Sequence, residues 1–460
     1  MSKLSVKRNV KTVVEQVPET SGAARRVPDE WEALLARLPA GLDEMARQTG
    51  ALKRRRAVKS AGDLLRLVWA YSLWDWSLKQ VGAWATVTEL AELSDVALRN
   101  RLRHSRLWLS QVLGQALGQV RLSRPTTGLR ARVFDASVIT EPGSTGTDWR
   151  LHVGFDVGSG RFDEWEVTDA HGGETLLRHA VEHGDILLVD RAYGHRKGLG
   201  YVMSAGAQVV GRINGHNLPM ETAQGKRLDV RTWLAGLSPR TRTIERAVRV
   251  RTPEGEFALR LIARRLPADA VAAAARRAAK TSRKNGTQLS QLTRVMAGWV
   301  VLVSNLPAES WSAEDVLALY RVRWQVELLI KRYKSLMQLD HLRSKEAELA
   351  QVYLLGKALG ALLLDQQTAI ETQVVADWFD DTLRPVSLWR WTVLWFDQLR
   401  AIVRGVLTLA MIEASLSKLS RYLRDSPRRR RQQLALARHW LNRFSGSIPP
   451  MGAKFALSPA

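Results

Sequence analysis

Cysteine is absent from all 460 residues, which excludes disulfides, thiolate metal sites and cysteine nucleophiles. Any metal must therefore sit on oxygen or imidazole. Acidic charge is scarce: 45 Asp and Glu stand against 69 Lys and Arg, a formal net charge of +24. Self-repulsion of that size is normally offset by a polyanion. Met1 to Glu30 holds no apolar core of the length a signal peptide needs, so export is not expected. The most apolar stretches, Val352 to Leu364 and Ala401 to Ile412, are broken by Lys357 and Arg404 and read as too short for a ~30 Å hydrocarbon layer. With the membrane set aside, nucleic acid is the leading polyanion. No internal repeat is visible. What the chain does have is 45% apolar residues, enough for a core in each of about three domains at ~150 residues apiece.

The pattern along the chain changes twice. Residues 1–27 are polar, with Pro18 and the Thr20-Ser21-Gly22 cluster, and read as a mobile arm. Residues 28–125 read as helical. Within them a helix pair is expected at Thr88–Leu93 and Asp95–His104, with Ser94 as the N-cap of the second. That second helix presents Arg99, Arg101 and Arg103, a helix-turn-helix pattern whose basic helix can enter a major groove; the plainer reading is a helical hairpin with a solvated basic face. After Pro125-Thr126-Thr127-Gly128 strands are expected at Arg132–Phe134, closed by Asp135, at Trp149–Val157 and at Glu164–Val167. Glu174–His183 reads as a helix ended by Gly184, and Ile186–Val189 as a strand buried on both faces and ending at Asp190. More strands follow between Gln208 and Val303. From Pro307 onward the chain reads as helical, with a basic terminal part.

An Asp at a strand end is usually a turn former or a cap, so Asp135 and Asp190 carry modest weight singly. The segment from Tyr320 to Lys334 is sharper. Read as one helix, it places Tyr320, Arg323, Glu327 and Lys334 within an arc of ~60°, so all four can meet one ligand. A carboxylate beside cations suits a phosphodiester site, the acid holding a divalent metal and the cations the phosphate; the bland alternative is a salt-bridged surface helix, since Arg323 and Glu327 are an i,i+4 pair. His179-Ala-Val-Glu-His183 fits a zinc-protease string, but five-residue strings recur by chance. Arg428 to Arg431, and Arg276, Arg277, Lys280, Arg283 and Lys284, are basic clusters suited to a DNA backbone.

Tyr320, Arg323, Glu327 and Lys334, with Asp135 in Val-Phe-Asp-Ala-Ser and Asp190 in Val-Asp-Arg-Ala-Tyr, resemble the DDE transposases of bacterial insertion sequences, in the group marked by a Y-(2)-R-(3)-E-(6)-K signature. The resemblance covers about Arg130 to Lys345. It implies an α/β fold: an RNase-H-like catalytic core over 126–345, interrupted by a mostly β insertion at about 195–305, between helical N-terminal and C-terminal domains, the latter (346–460) contacting DNA and dimerising. It further implies that Asp135, Asp190 and Glu327 hold two Mg²⁺ ions, with Mn²⁺ able to substitute, and that Tyr320, Arg323 and Lys334 grip phosphates, assisted by Arg191. Trp299 resembles the Trp that members with a hairpin mechanism place near a flipped base. The expected function is a transposase that binds terminal inverted repeats of double-stranded DNA, excises the element and joins its 3′ ends to a target, as a homodimer in the bacterial cytoplasm on the nucleoid. The competing classes are a catalytically silent DNA-binding regulator and a metal-dependent nuclease without strand transfer.

Overall fold

The computed structural model describes residues 27–122, 130–213, 215–284, 286–376 and 387–423. The mobile arm and the Arg428–Arg431 run therefore lie outside the described residues. The chain begins with six helices: α1 (Val27–Leu35), α2 (Leu42–Gln48), α3 (Ala61–Leu73), α4 (Leu78–Val87), α5 (Asp95–His104) and α6 (Arg106–Leu122). Then come β1 (Ala131–Ile139), β2 (Trp149–Asp156), β3 (Arg161–Asp169), β4 (Ile186–Val189), α7 (Arg196–Ser204), β5 (Gln208–Arg212), α8 (Val230–Ala235), β6 (Thr243–Thr252) and β7 (Gly255–Arg265). They are followed by α9 (Ala268–Lys284), α10 (Gln291–Met296), β8 (Trp299–Ser304), α11 (Ala313–Arg321), α12 (Trp324–Met337) and α13 (Ala347–Ala376). The last described helices are α14 (Leu388–Arg404), α15 (Leu409–Ala414) and α16 (Leu416–Leu423).

Side-chain caps set the N-terminal helices: Ser60 and Asp63 form a capping box at α3, Ser77 and Gln80 another at α4, and Ser94 Oγ accepts from the Ala97 amide at 3.1 Å to start α5. The expected helix at Thr88–Leu93 is not there. Thr88 closes α4 by returning its amide to Trp84, and Glu89 takes a left-handed φ of 54°, so those residues are the connection and α4 is the partner of α5. Nearly all of α3 is buried, and its Trp69 indole donates to the Gly356 carbonyl of α13 at 2.9 Å. Gly356 permits that approach, since a Cβ there would stand 2.5 Å from Ser72 Oγ.

One mixed sheet carries the rest, in the order β3-β2-β1-β4-β5-β8-β7-β6. Its first half is an antiparallel meander, β3-β2-β1, with β4 and β5 added in parallel, and helices cover it. This is the RNase-H-like core. The later strands are not a separate sheet: β8 pairs antiparallel to β5 and extends the same hydrogen-bonded surface through β7 to β6.

Three further expectations change. Asp135 does not close its strand, because β1 continues along β2 as far as Ile139; what ends beside it is β4, at Val189. Glu174–His183 holds only a short 3₁₀ turn, Leu176–Arg178. Buried ionic contacts keep the remainder extended: His179 Nδ1 meets Glu164 at 2.7 Å, the His179 ring stacks on Phe134, and Arg132 reaches both Asp163 and the Ala180 carbonyl. Without a helix the His-x-x-Glu-His string has no common face for a metal. Finally, Val352–Leu364 is part of a continuous helix long and apolar enough to cross a membrane by length and composition, but 78% of that window is buried within the protein. Lys357 does not break it, because its Nζ turns inward to the Gln338 carbonyl at 3.0 Å.

Candidate active site

The parallel register of β1 and β4 runs to the pair Val133–Leu188, two residues before Asp135 on β1 and two before Asp190, which directly follows the last residue of β4. Each is held by a local bond: the Ala136 amide donates to Asp135 at 2.9 Å and the Ala192 amide to Asp190 at 2.8 Å. Burial pushes the Asp135 carboxyl up to about 7, and the charges of Asp190 and Glu327 push the same way against Arg323 and the Ala136 amide. The three acids thus share one electrostatic neighbourhood at the end of the sheet.

Tyr320 and Arg323 are not on the helix that carries Glu327. Tyr320 lies in the last turn of α11, the chain turns at Val322, and Arg323 is the residue before α12. The turn keeps the group together: the Arg323 guanidinium donates to Glu327 and lies 5.8 Å from the Tyr320 ring. Burial acts to lower the Arg323 pKa, but Tyr320, Glu327 and Asp135 outweigh it and leave it raised. Val326, Leu329, Ile330, Tyr333 and Met337 bury the adjoining face of α12, as their spacing foretells. Lys334, seven residues after Glu327, lies ~10 Å further along the same helix. Arg191 is exposed next to Asp190, and its charge contributes to lowering the pKa of half-buried Arg212, an effect led by burial.

Beside this group opens a cavity of about 1140 Å³ whose walls include Arg212, Arg240, Arg242, Arg265, Arg321 and Trp324 and no acidic side chain. Sequence reasoning missed Arg212 and Trp324, although Trp324 directly follows a signature residue and is 55% exposed. It also missed Glu174, whose pKa is raised by burial and by the Asp190 charge, and gave Tyr193 no role of its own. Tyr193 is fully buried, with a hydroxyl lacking a hydrogen bond among the described residues and a pKa raised by burial and by Glu174, Asp135 and Asp190.

Trp299 lies behind that cavity wall, under Arg265. It opens β8 as expected but is 3% exposed in the core, with the Arg265 guanidinium 4.2 Å over its ring, so a base would reach it only after Arg265 moves. The α5 arginines are already engaged. Arg99 binds Glu346 at 2.6 Å, Arg103 binds Glu346 and Glu348, and Arg101 donates to the Ala51 and Arg54 carbonyls. A DNA contact there must exchange these bonds.

Three carboxylates whose charges oppose one another suit a hard divalent cation, which takes oxygen ligands and relieves the repulsion that helps hold Asp135 near neutral. Among the described residues no three acidic or histidine side chains are already gathered at ligating distance, and Glu327 is bonded to Arg323.

The fold is that of an RNase-H-like core with helical regions. Residues 127–364 match the family described as the transposase DDE domain. The chain is 37% identical over 347 residues to the transposase for insertion sequence element IS421 of Escherichia coli, covering 73% of this chain and 93% of that protein. It is 24% identical over 265 residues to the transposase for insertion sequence element IS231F of Bacillus thuringiensis subsp. israelensis, 51% of this chain and 55% of that one. This chain belongs to the DDE transposases of bacterial insertion sequences. It is a transposase acting on DNA, in a family that works with divalent metal ions.

Proposed function

We propose that Asp135, Asp190 and Glu327 are the metal-holding acids, and that the enzyme cuts the ends of its element and joins the 3′ ends to target DNA. The observation that supports this reading is that Asp135 lies within the electrostatic reach of Asp190, Glu327 and Arg323 at once, with Arg323 bonded to Glu327. A pair of Mg²⁺ ions, replaceable by Mn²⁺, would supply Lewis acidity, activating water or a 3′-hydroxyl and stabilising the leaving oxygen. For Glu327 to join the other acids, Arg323 must release it. The freed guanidinium then turns to the scissile phosphate, with Tyr320, Lys334 and Arg191 holding neighbouring phosphates. Fully buried Tyr193 helps keep bulk water from the inner side of the site. In this reading two copies assemble on paired ends, each cutting in trans.

Asp135→Asn, Asp190→Asn and Glu327→Gln test it on a labelled element end. Each is expected to lower cleavage at least a thousandfold while end binding stays within a few-fold; near-normal cleavage by any one removes that residue from the site. Second-strand cleavage through a hairpin is the finer part of the reading. Trp299→Ala should then accumulate nicked ends with few hairpins on a denaturing gel, whereas parallel loss of nicking and excision, or a lower melting temperature alone, would leave Trp299 a core residue.

A further inference from the structure

Helix α9 runs for 17 residues without burying any of them. Eight of those residues are Ala, so high intrinsic propensity substitutes for packing in holding the helix together. Its cations are sorted to one side. Arg276, Arg277, Lys280, Arg283 and Lys284 fall at steps of 1, 4, 7 and 8 from the first, within an arc of ~120°, while Ala270, Val271, Ala274 and Ala278 on the other side are half-buried. None of the five is in an ion pair among the described residues, whereas Arg99 and Arg103 of α5 are both paired. The face also has a direction. Leu266 and Pro267, immediately before α9, line the arginine cavity together with Arg212, Tyr320 and Arg323, and the charge of Arg277 is among those acting on Arg212. From Arg276 to Lys284 the helix advances ~12 Å, the length of about three successive phosphates of one strand along the duplex axis.

We propose that the basic face of α9 is a sequence-independent track for the backbone of duplex DNA running outward from the cleaved bond, beyond the element end. A five-cation face with no carboxylate partner among the described residues, on a helix that leads away from a cavity walled by arginine, is complementary to a phosphate backbone on an enzyme that acts on DNA. The proposal rests on the cleavage site assigned above.

The full-length chain with Arg276, Arg277, Lys280, Arg283 and Lys284 all changed to Gln is compared with wild type on element-end duplexes carrying either 4 or 25 base pairs beyond the boundary. On the long duplex the variant should bind at least tenfold more weakly at 0.2 M salt, with the salt slope reduced by about 0.9 for each phosphate that wild type neutralises and the variant does not. On the short duplex, binding and cleavage should stay within about twofold of wild type. Arg276→Glu with Lys280→Glu should enlarge the long-duplex defect, and melting curves should match wild type. Equal losses on both lengths, or no loss on either, would overturn the track. Cleavage of both duplexes by wild type and of neither by Asp190→Asn keeps that outcome separate: it would leave the active site standing while removing α9 from DNA binding.

Discussion

Two helices of this protein carry clusters of basic residues, and they use them in opposite ways. In α5, Arg99 and Arg103 are tied to Glu346 and Glu348 at the head of α13, and Arg101 to backbone carbonyls just beyond α2. In α9 the five cations share one face and are in no ion pair among the described residues. By sequence the first looked like the DNA reader, since it follows a capped turn. In α5 the cations join the N-terminal helices to α13, while in α9 they stand without an ion-pair partner among the described residues.

The strongest expected effect of tying charge down lies in the interior. Asp365, on α13, is buried and bonded to the Tyr333 hydroxyl; burial holds its carboxyl up at about 7, against the pull of Tyr333, Arg332 and Arg161. Between about pH 4 and 7 the folded protein keeps a proton that the unfolded chain has lost, so this residue makes stability fall as pH rises through that window. Asp365→Asn should remove that decline. Urea unfolding at pH 4.5 and 7.5 should show the variant gaining on wild type by up to a few kcal/mol over the interval; an unchanged difference would mean that Asp365 is ionised in the folded protein.

The comparison of α5 with α9 is sharpened by two single substitutions. Arg276→Ala should leave the unfolding free energy unchanged and lower the salt slope of DNA binding by about 0.9. Arg99→Ala should do the reverse, costing at most ~1 kcal/mol of stability, as expected for a partly exposed pair, with little change in DNA affinity. If Arg99→Ala instead weakens binding to the element end by ~1–3 kcal/mol and spares random DNA, α5 reads bases and exchanges its carboxylates for them.

What could be read without the fold was whatever depends on near neighbours. The four-residue apolar run before Asp190 and the cap at Ser94 are local, and each marks its element. The break between α11 and α12 was hidden because the apolar period runs on through Val322 and Val326 whether or not the helix is interrupted. Glu174–His183 looked helical because nothing nearby shows that Arg132, Glu164 and Asp185 pin it flat against the sheet. The engagement of Arg99 by Glu346 joins residues 247 positions apart, and the exposure of α9 is likewise a property of the whole molecule.

Binding of Mn²⁺ to the full-length protein, followed by electron paramagnetic resonance at pH 8, tests the central assignment most directly, because it reads the metal site without requiring a DNA substrate. Wild type should take up Mn²⁺ with a spectrum distinct from the free ion, and Asp135→Asn, Asp190→Asn and Glu327→Gln should each weaken that uptake at least tenfold. Uptake equal to wild type in all three variants would contradict the assignment.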